Sequence, residues 1–141
     1  MDQRISVITL GVADVQASAE FYERLGWTRS SESLDAVAFF DVGGMVFALY
    51  GTAALAEDAG LSAEGHGFRR VTLAQNLAST DAVDALLKEA EAAGARLIMQ
   101  AAETFWGGYS GYFADPDGHL WEISHNPFWS LDQDGRVQLP G

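Results

Sequence analysis

The side chain with the greatest chemical promise in this chain is Glu122, because the run His119 to Asn126 (HLWEISHN) around it otherwise reads as an ordinary strand. Alternation puts Leu120, Glu122, Ser124 and Asn126 on one face and His119, Trp121, Ile123 and His125 on the other. A carboxylate in mid-strand is costly to bury alone, so Glu122 is expected to meet water in a cleft, a cation, a metal or a ligand. The three histidines do not converge on it. His119 and His125 fall on the opposite strand face and His66 in a glycine-rich loop, so each reads as a surface or capping residue before a metal ligand. The chain has no cysteine, which removes disulfides, thiolate ligands and a cysteine nucleophile and accords with a reducing cytoplasm. Gly43-Gly44 and Gly107-Gly108 read as turns, no loop has phosphate-binding spacing, and no Ser-His-Asp order is supported. Phe105, Trp106, Tyr109 and Tyr112 crowd one segment, where they can stack on a planar ligand or serve as lid and core packing.

These residues need elements to position them. Asp115-Pro116-Asp117-Gly118 is a strong turn signal, because proline presets φ, glycine accepts positive φ, and Asp115 can bond the backbone two residues on. Two strands are therefore expected to meet there as a hairpin. Upstream, Ile5 to Val12 reads as a strand. Asp14 caps an amphipathic helix through Leu25, with Val15, Ala19 and Tyr22 at helical spacing and Gly26 as its stop. Strands are expected at Trp27 to Ser33, Ala36 to Val42 and Met45 to Tyr50, then a short helix over Thr52 to Leu61 and a loop, Ser62 to Gly67. The pattern then restarts with a strand over Phe68 to Asn76, a helix from Ser79 or Thr80 to Ala93 stopped by Gly94, and a strand from Ala95 to Ala102. Ile8-Thr9-Leu10 answers Val71-Thr72-Leu73, and Asp41-Val42-Gly43-Gly44 answers Asp115-Pro116-Asp117-Gly118, which marks an internal repeat of βαβββ units. The tail from Pro127 is expected to pack through Phe128, Trp129 and Leu131 and then fray.

At 141 residues with 48% hydrophobic and 20% charged residues, the chain has the composition of one globular domain. A formal charge of −12 repels phosphate backbones and anionic lipid, so nucleic acid and membrane surfaces are excluded as expected partners, and cationic or neutral small molecules remain. With no apolar run of membrane-spanning length and no basic leader, the chain reads as a soluble cytoplasmic protein.

The doubled unit, with FYERLGW closing the first helix and DPDGHLWEI in the last hairpin, resembles the glyoxalase/bleomycin-resistance/extradiol-dioxygenase superfamily, the vicinal oxygen chelate fold. The resemblance covers nearly the whole chain. It implies an α+β fold in which two βαβββ units, at about 4–61 and 68–126 with a tail at 127–141, form a curved mixed sheet around a cavity. It also implies metal ligands, usually His and Glu, on four strands. The carboxylate position falls on Glu122, but the other three fall on Val7, Ala48 and Arg70. One carboxylate cannot hold a divalent cation tightly, so no metal and no cofactor are expected.

Alternation adds Val7, Thr9, Ala48, Thr72, Leu120 and Ser124 as cavity candidates, with Trp106, Tyr109 and Tyr112 as aromatic ones. Arg70 is expected to face Glu122, either as the counter-charge that orients a ligand or as a structural ion pair. The resemblance thus implies a metal-independent binder of a small organic molecule, as the family's drug-binding resistance proteins are. Two alternatives stand beside it, a lyase, isomerase or dioxygenase with a divergent metal site, and a subunit acting through protein contacts. Family members commonly pair as homodimers, and short units with exposed sheet edges give the same expectation here.

Overall fold

Alternating apolar residues in VITLGV make β1 (Val7–Val12), and Asp14 ends the following turn by accepting a 2.9 Å bond from the Ala17 N–H. That cap starts α1 (Val15–Arg24), which buries Ser18, Ala19, Phe21 and Tyr22 because these positions form one helical stripe. β2 (Val37–Asp41), β3 (Val46–Gly51) and a short α2 (Thr52–Asp58) complete the N-terminal unit. Its sheet runs β1-β3-β2, with β1 parallel and β2 antiparallel to the central β3. Between α1 and the sheet lies an aromatic core in which Tyr22 and Trp27 both meet Phe47, at 5.0 and 5.2 Å between ring centroids.

The C-terminal unit repeats this plan. β4 (Leu73–Asn76) leads to α3 (Thr80–Ala93), capped by Ser79, whose hydroxyl accepts from the Ala82 N–H at 3.1 Å, and closed by Gly94 at φ 113°. β5 (Arg96–Glu103), β6 (Tyr109–Ala114) and β7 (Leu120–His125) follow, in the sheet order β4-β7-β6-β5. As in the first unit, the first strand runs parallel to the last, and the other neighbours are antiparallel. α3 packs over β5, β6 and β7 through Val83, Leu87, Ala90 and Ala93. Gly111 lets the helix approach, since a Cβ there would lie 2.7 Å from a Leu87 methyl and 2.8 Å from the Ala101 nitrogen.

This computed structural model describes every residue except 2 and 4, and it consists of the two compact units Met1–Arg69 and Arg70–Gly141. The fold is α+β with mixed sheets, as expected. Among the described residues no helix is long and apolar enough to cross a membrane.

Three expectations need correction. The strand at Trp27 to Ser33 shrinks to a single bridge between Arg29 and Phe40. Its serines turn the chain locally instead, Ser30 accepting from the Glu32 N–H through its hydroxyl and from the Ser33 N–H through its carbonyl, which competes with a strand ladder. The strand expected from Phe68 begins only at Leu73, because Arg70 adopts φ 62°, a left-handed conformation that breaks an extended run. The tail does not fray after Leu131. Asp132 accepts from the Asp134 and Arg136 N–H groups, and the turn it makes pairs β8 (Ser130–Leu131) with β9 (Val137–Gln138).

Candidate functional site

β7 is an inner strand, so Glu122 has neighbours on both sides, Ala74 on β4 and Tyr112 on β6. Residues directly opposite one another share a sheet face. The face carrying Glu122 therefore also carries Tyr112, Ser110, Ser124 and Asn76, while Trp121, Ile123 and Phe113 point to the side covered by α3. Phe113 and Trp121 stack there at 6.2 Å.

The polar face is ordered by hydrogen bonds. Ser124 donates to the Asn76 side-chain oxygen at 3.1 Å. Glu122 and Tyr112 are both half-buried, and the tyrosine is pushed above its ordinary pKa first by burial, then by the negative charge of Glu122 and their hydrogen bond. Tyr112 thus keeps its proton and serves as a donor beside a carboxylate. The side toward Ala74 offers Glu122 only a methyl group.

Arg70 does not meet this carboxylate. The β4–β7 register opens with Leu73 opposite Trp121, which sets Ala74 opposite Glu122 and leaves Arg70 and Thr72 ahead of the strand, both exposed. Among the described residues no ion pair joins Arg70 to Glu122. The expected pairing fails because the left-handed turn at Arg70 ends the extended backbone that would have carried it there. Leu120 and Ser124 do share the Glu122 face.

Tyr109 parts company with Tyr112. Opposite His125 in the ladder, it turns to the helix side and donates to Asp84 of α3 at 2.9 Å; that bond, burial and nearby acids raise its pKa. Phe105 and Trp106 are exposed, contrary to a core role, and the Trp106 ring occupies the space a side chain on Gly108 would need.

In the N-terminal unit Val7 lies opposite Val46, and Ala48 lies opposite both Thr9 and Phe39. Val7, Thr9 and Ala48 thus share the face away from α1. Val7 also borders a largely hydrocarbon groove of about 530 Å³ with Phe39, Met45 and Val46.

A metal of the kind the fold suggests does not fit these residues. Val7 and Ala48 carry hydrocarbon, Arg70 is a cation, and among the described residues no three His, Asp or Glu side chains gather to hold an ion. His119 is buried, His66 is exposed, and the Nδ1 of His125 lies 3.0 Å from the Leu77 carbonyl.

In the sequence Tyr112 stands as an aromatic cavity candidate, with no hydrogen-bond partner assigned to it. The signal was present, since Tyr112 and Glu122 lie the same number of residues from the ends of the turn between Ala114 and Leu120, and antiparallel pairing then sets them opposite one another. Asn76 and Asp84 carried no such signal, because their partners depend on parallel register and helix docking.

Comparison with known proteins agrees with the topology. The model of the Glyoxalase/Bleomycin resistance protein/Dioxygenase superfamily matches residues 4–123. A glyoxalase-related enzyme from Fulvimarina pelagi is 37% identical, with 99% of each chain covered and a TM-score of 0.87. A glyoxalase/bleomycin resistance protein/dioxygenase from Nocardioides is 29% identical over 99% of this chain and 91% of its own, with a TM-score of 0.75. Lactoylglutathione lyase from Agrobacterium tumefaciens, 19% identical over 94% of this chain and all of its own, with a TM-score of 0.69, is similar in fold alone. Among curated proteins there is no match.

Proposed function

The chain belongs to the glyoxalase/bleomycin resistance protein/dioxygenase superfamily, and from that premise we propose that it binds a small organic molecule, without a metal, on the Glu122 face of its C-terminal unit. One observation carries the reading. Glu122 is half-buried with Tyr112 on one side and the Ala74 methyl on the other. A carboxylate offers about four acceptor positions and a phenol hydroxyl fills one, so the remainder favours a ligand with N–H groups or a positive charge. A net charge of −12 draws the same class of molecule. Val7, Thr9 and Ala48 supply hydrocarbon and one hydroxyl in the other unit, so polar specificity is assigned to Glu122, Tyr112 and Ser124.

A melting screen of wild type and Glu122→Gln against neutral and cationic organic molecules tests this. A cationic compound that raises the wild-type Tm should lose most of its effect on the variant, since stabilisation follows ligand concentration over Kd. Equal shifts in both proteins would remove Glu122 from the site.

The name of the Fulvimarina pelagi relative favours a second reading, an enzyme in which Glu122 accepts a proton from the bound molecule while Tyr112 donates a hydrogen bond. Exchange of a carbon-bound proton of the ligand with deuterated solvent, abolished by Glu122→Gln, would distinguish turnover from binding. We also place the protein in the cytoplasm as a homodimer, on the grounds of cysteine absence and the exposed eight-residue edge strand β5. Sedimentation showing monomer alone at micromolar concentration would overturn the dimer.

A further inference from the structure

On the far side of the same sheet, the C-terminal unit holds a half-open groove of about 470 Å³, bordered by Thr80, Glu103, Thr104, Tyr109 and His125. Its size falls within the roughly 300–1,000 Å³ of small-molecule sites. It is separate from the Glu122 face by construction, because His125 and Glu122 differ by an odd number of positions along β7 and so point to opposite sides of the sheet.

The lining is rich in acceptors. The Leu77 carbonyl can only accept, so the Nδ1 of His125, 3.0 Å away, is the protonated nitrogen. A neutral ring then carries its lone pair on Nε2. Glu103 is exposed and has no cationic partner among the described residues. Thr104 accepts from the Gly108 N–H at 3.0 Å, and the Tyr109 hydroxyl is committed as donor to Asp84. The N-terminus of α3 opposes a cation here, but Asp81 and Asp84 in its first turns offset that field.

Aromatic rings lie beside the two glycines of this lining. Trp106 covers Gly108, the Phe128 ring lies 3.2 Å from where a Cβ on Gly107 would stand, and Phe105 and Phe128 are exposed. Acceptors in the lining, with Trp106 and Phe128 beside its two glycines, suit a positive charge attached to a hydrocarbon or aromatic body, through charge-assisted hydrogen bonds and contact with the neighbouring rings. We propose that this groove is a second binding site, which takes a small organic ammonium ion.

The test is an NMR titration of the full chain with benzylamine, which is protonated at neutral pH, and with benzyl alcohol as its uncharged counterpart. Benzylammonium should shift the backbone amides of Gly107, Gly108 and Tyr109. These shifts should persist in Glu122→Gln, and Glu103→Gln should weaken the binding they report by about tenfold, the loss of one charge-assisted contact. Glu103 is exposed, so its replacement leaves the fold intact. Unmoved glycine amides at millimolar benzylamine would overturn the proposal, as would benzyl alcohol binding equally well. Shifts lost in Glu122→Gln yet kept in Glu103→Gln would assign the ammonium to the other face and overturn it too.

Discussion

The two units share one backbone plan and differ in what they place on it. Each runs strand, capped helix and strands in the same order, with the first strand parallel to the last. In the N-terminal unit the helix side is a cluster of aromatic rings, and the opposite face carries Val7, Thr9 and the buried Ala48. In the C-terminal unit the helix itself offers only aliphatic and alanine side chains to one stacked pair of rings, Phe113 and Trp121, and the opposite face carries Tyr112, Glu122 and Ser124. The repeat thus governs topology, and the side chains facing away from each helix govern chemistry. The second strand shows the same division. RLIMQAAE makes the full strand β5, whereas the serine-rich run after Trp27 keeps only the Arg29 bridge, anchored by Arg29 bonds to Gln16 and Glu23 on or beside α1.

The largest effect that can sharpen this contrast is removal of a core ring. Tyr22 is fully buried and lies within about 5.0–6.1 Å of Phe21, Trp27, Phe40 and Phe47. Tyr22→Ala should cost about 3–5 kcal/mol, the range for truncating a large buried aromatic, as read by urea unfolding. A loss below about 1 kcal/mol would mean that the aromatic cluster does not hold the unit together. The C-terminal unit is vulnerable instead to added volume. Gly111→Ala should cost about 1–3 kcal/mol, because its Cβ would press on the Ala101 and Met99 backbone as well as on a flexible Leu87 methyl. A neutral outcome would show that α3 and β5 can move apart.

A smaller effect concerns alkaline pH. Tyr109 and Tyr112 both have raised pKa values, the first chiefly through its hydrogen bond to Asp84 and the second chiefly through burial. Above the ordinary tyrosine value of 10.0, the unfolded chain releases protons that the folded chain still holds. Stability should therefore be intact below that pH and fall as pH rises through the folded values. Tyr109→Phe and Tyr112→Phe should each flatten that fall in denaturation curves recorded above pH 10. Curves that keep the wild-type slope would place the alkaline loss elsewhere.

How far the sequence discloses this molecule depends on the range of the interaction involved. Caps at Asp14 and Ser79, the glycine stop at Gly94 and the Asp115 turn are local chemistry, and each is found where its residues indicate. Glu122 and its face were legible because alternation is local too. The late start of β4 at Leu73 is not legible because nothing in Phe68-Arg69-Arg70 announces a left-handed residue, and arginine seldom adopts one. Placement of Tyr109 against Asp84, and of Ser124 against Asn76, rests on how a helix and a parallel strand dock, which residue spacing does not encode.

The smallest expected effect, and the one that tests the register most directly, is the coupling between Arg70 and Glu122. Had they formed a pair across one face, Arg70→Leu would strand a half-buried carboxylate, and the double variant with Glu122→Leu would recover part of the loss. With Ala74 opposite Glu122 and Arg70 exposed in a left-handed turn, the two substitutions should add within about 0.3–0.5 kcal/mol. Arg70→Gly should if anything stabilise, by up to about 1 kcal/mol, since glycine adopts that backbone without strain. Coupling well above the additive range would mean that β4 extends back through Arg70 in solution. The C-terminal unit would then carry a second charge on its polar face, and the contrast between the units would be one of charge pairing rather than of a lone carboxylate facing hydrocarbon. Additivity with a stabilising Arg70→Gly would leave Tyr112 as the partner of Glu122 on that face and keep its remaining acceptor positions available to a ligand.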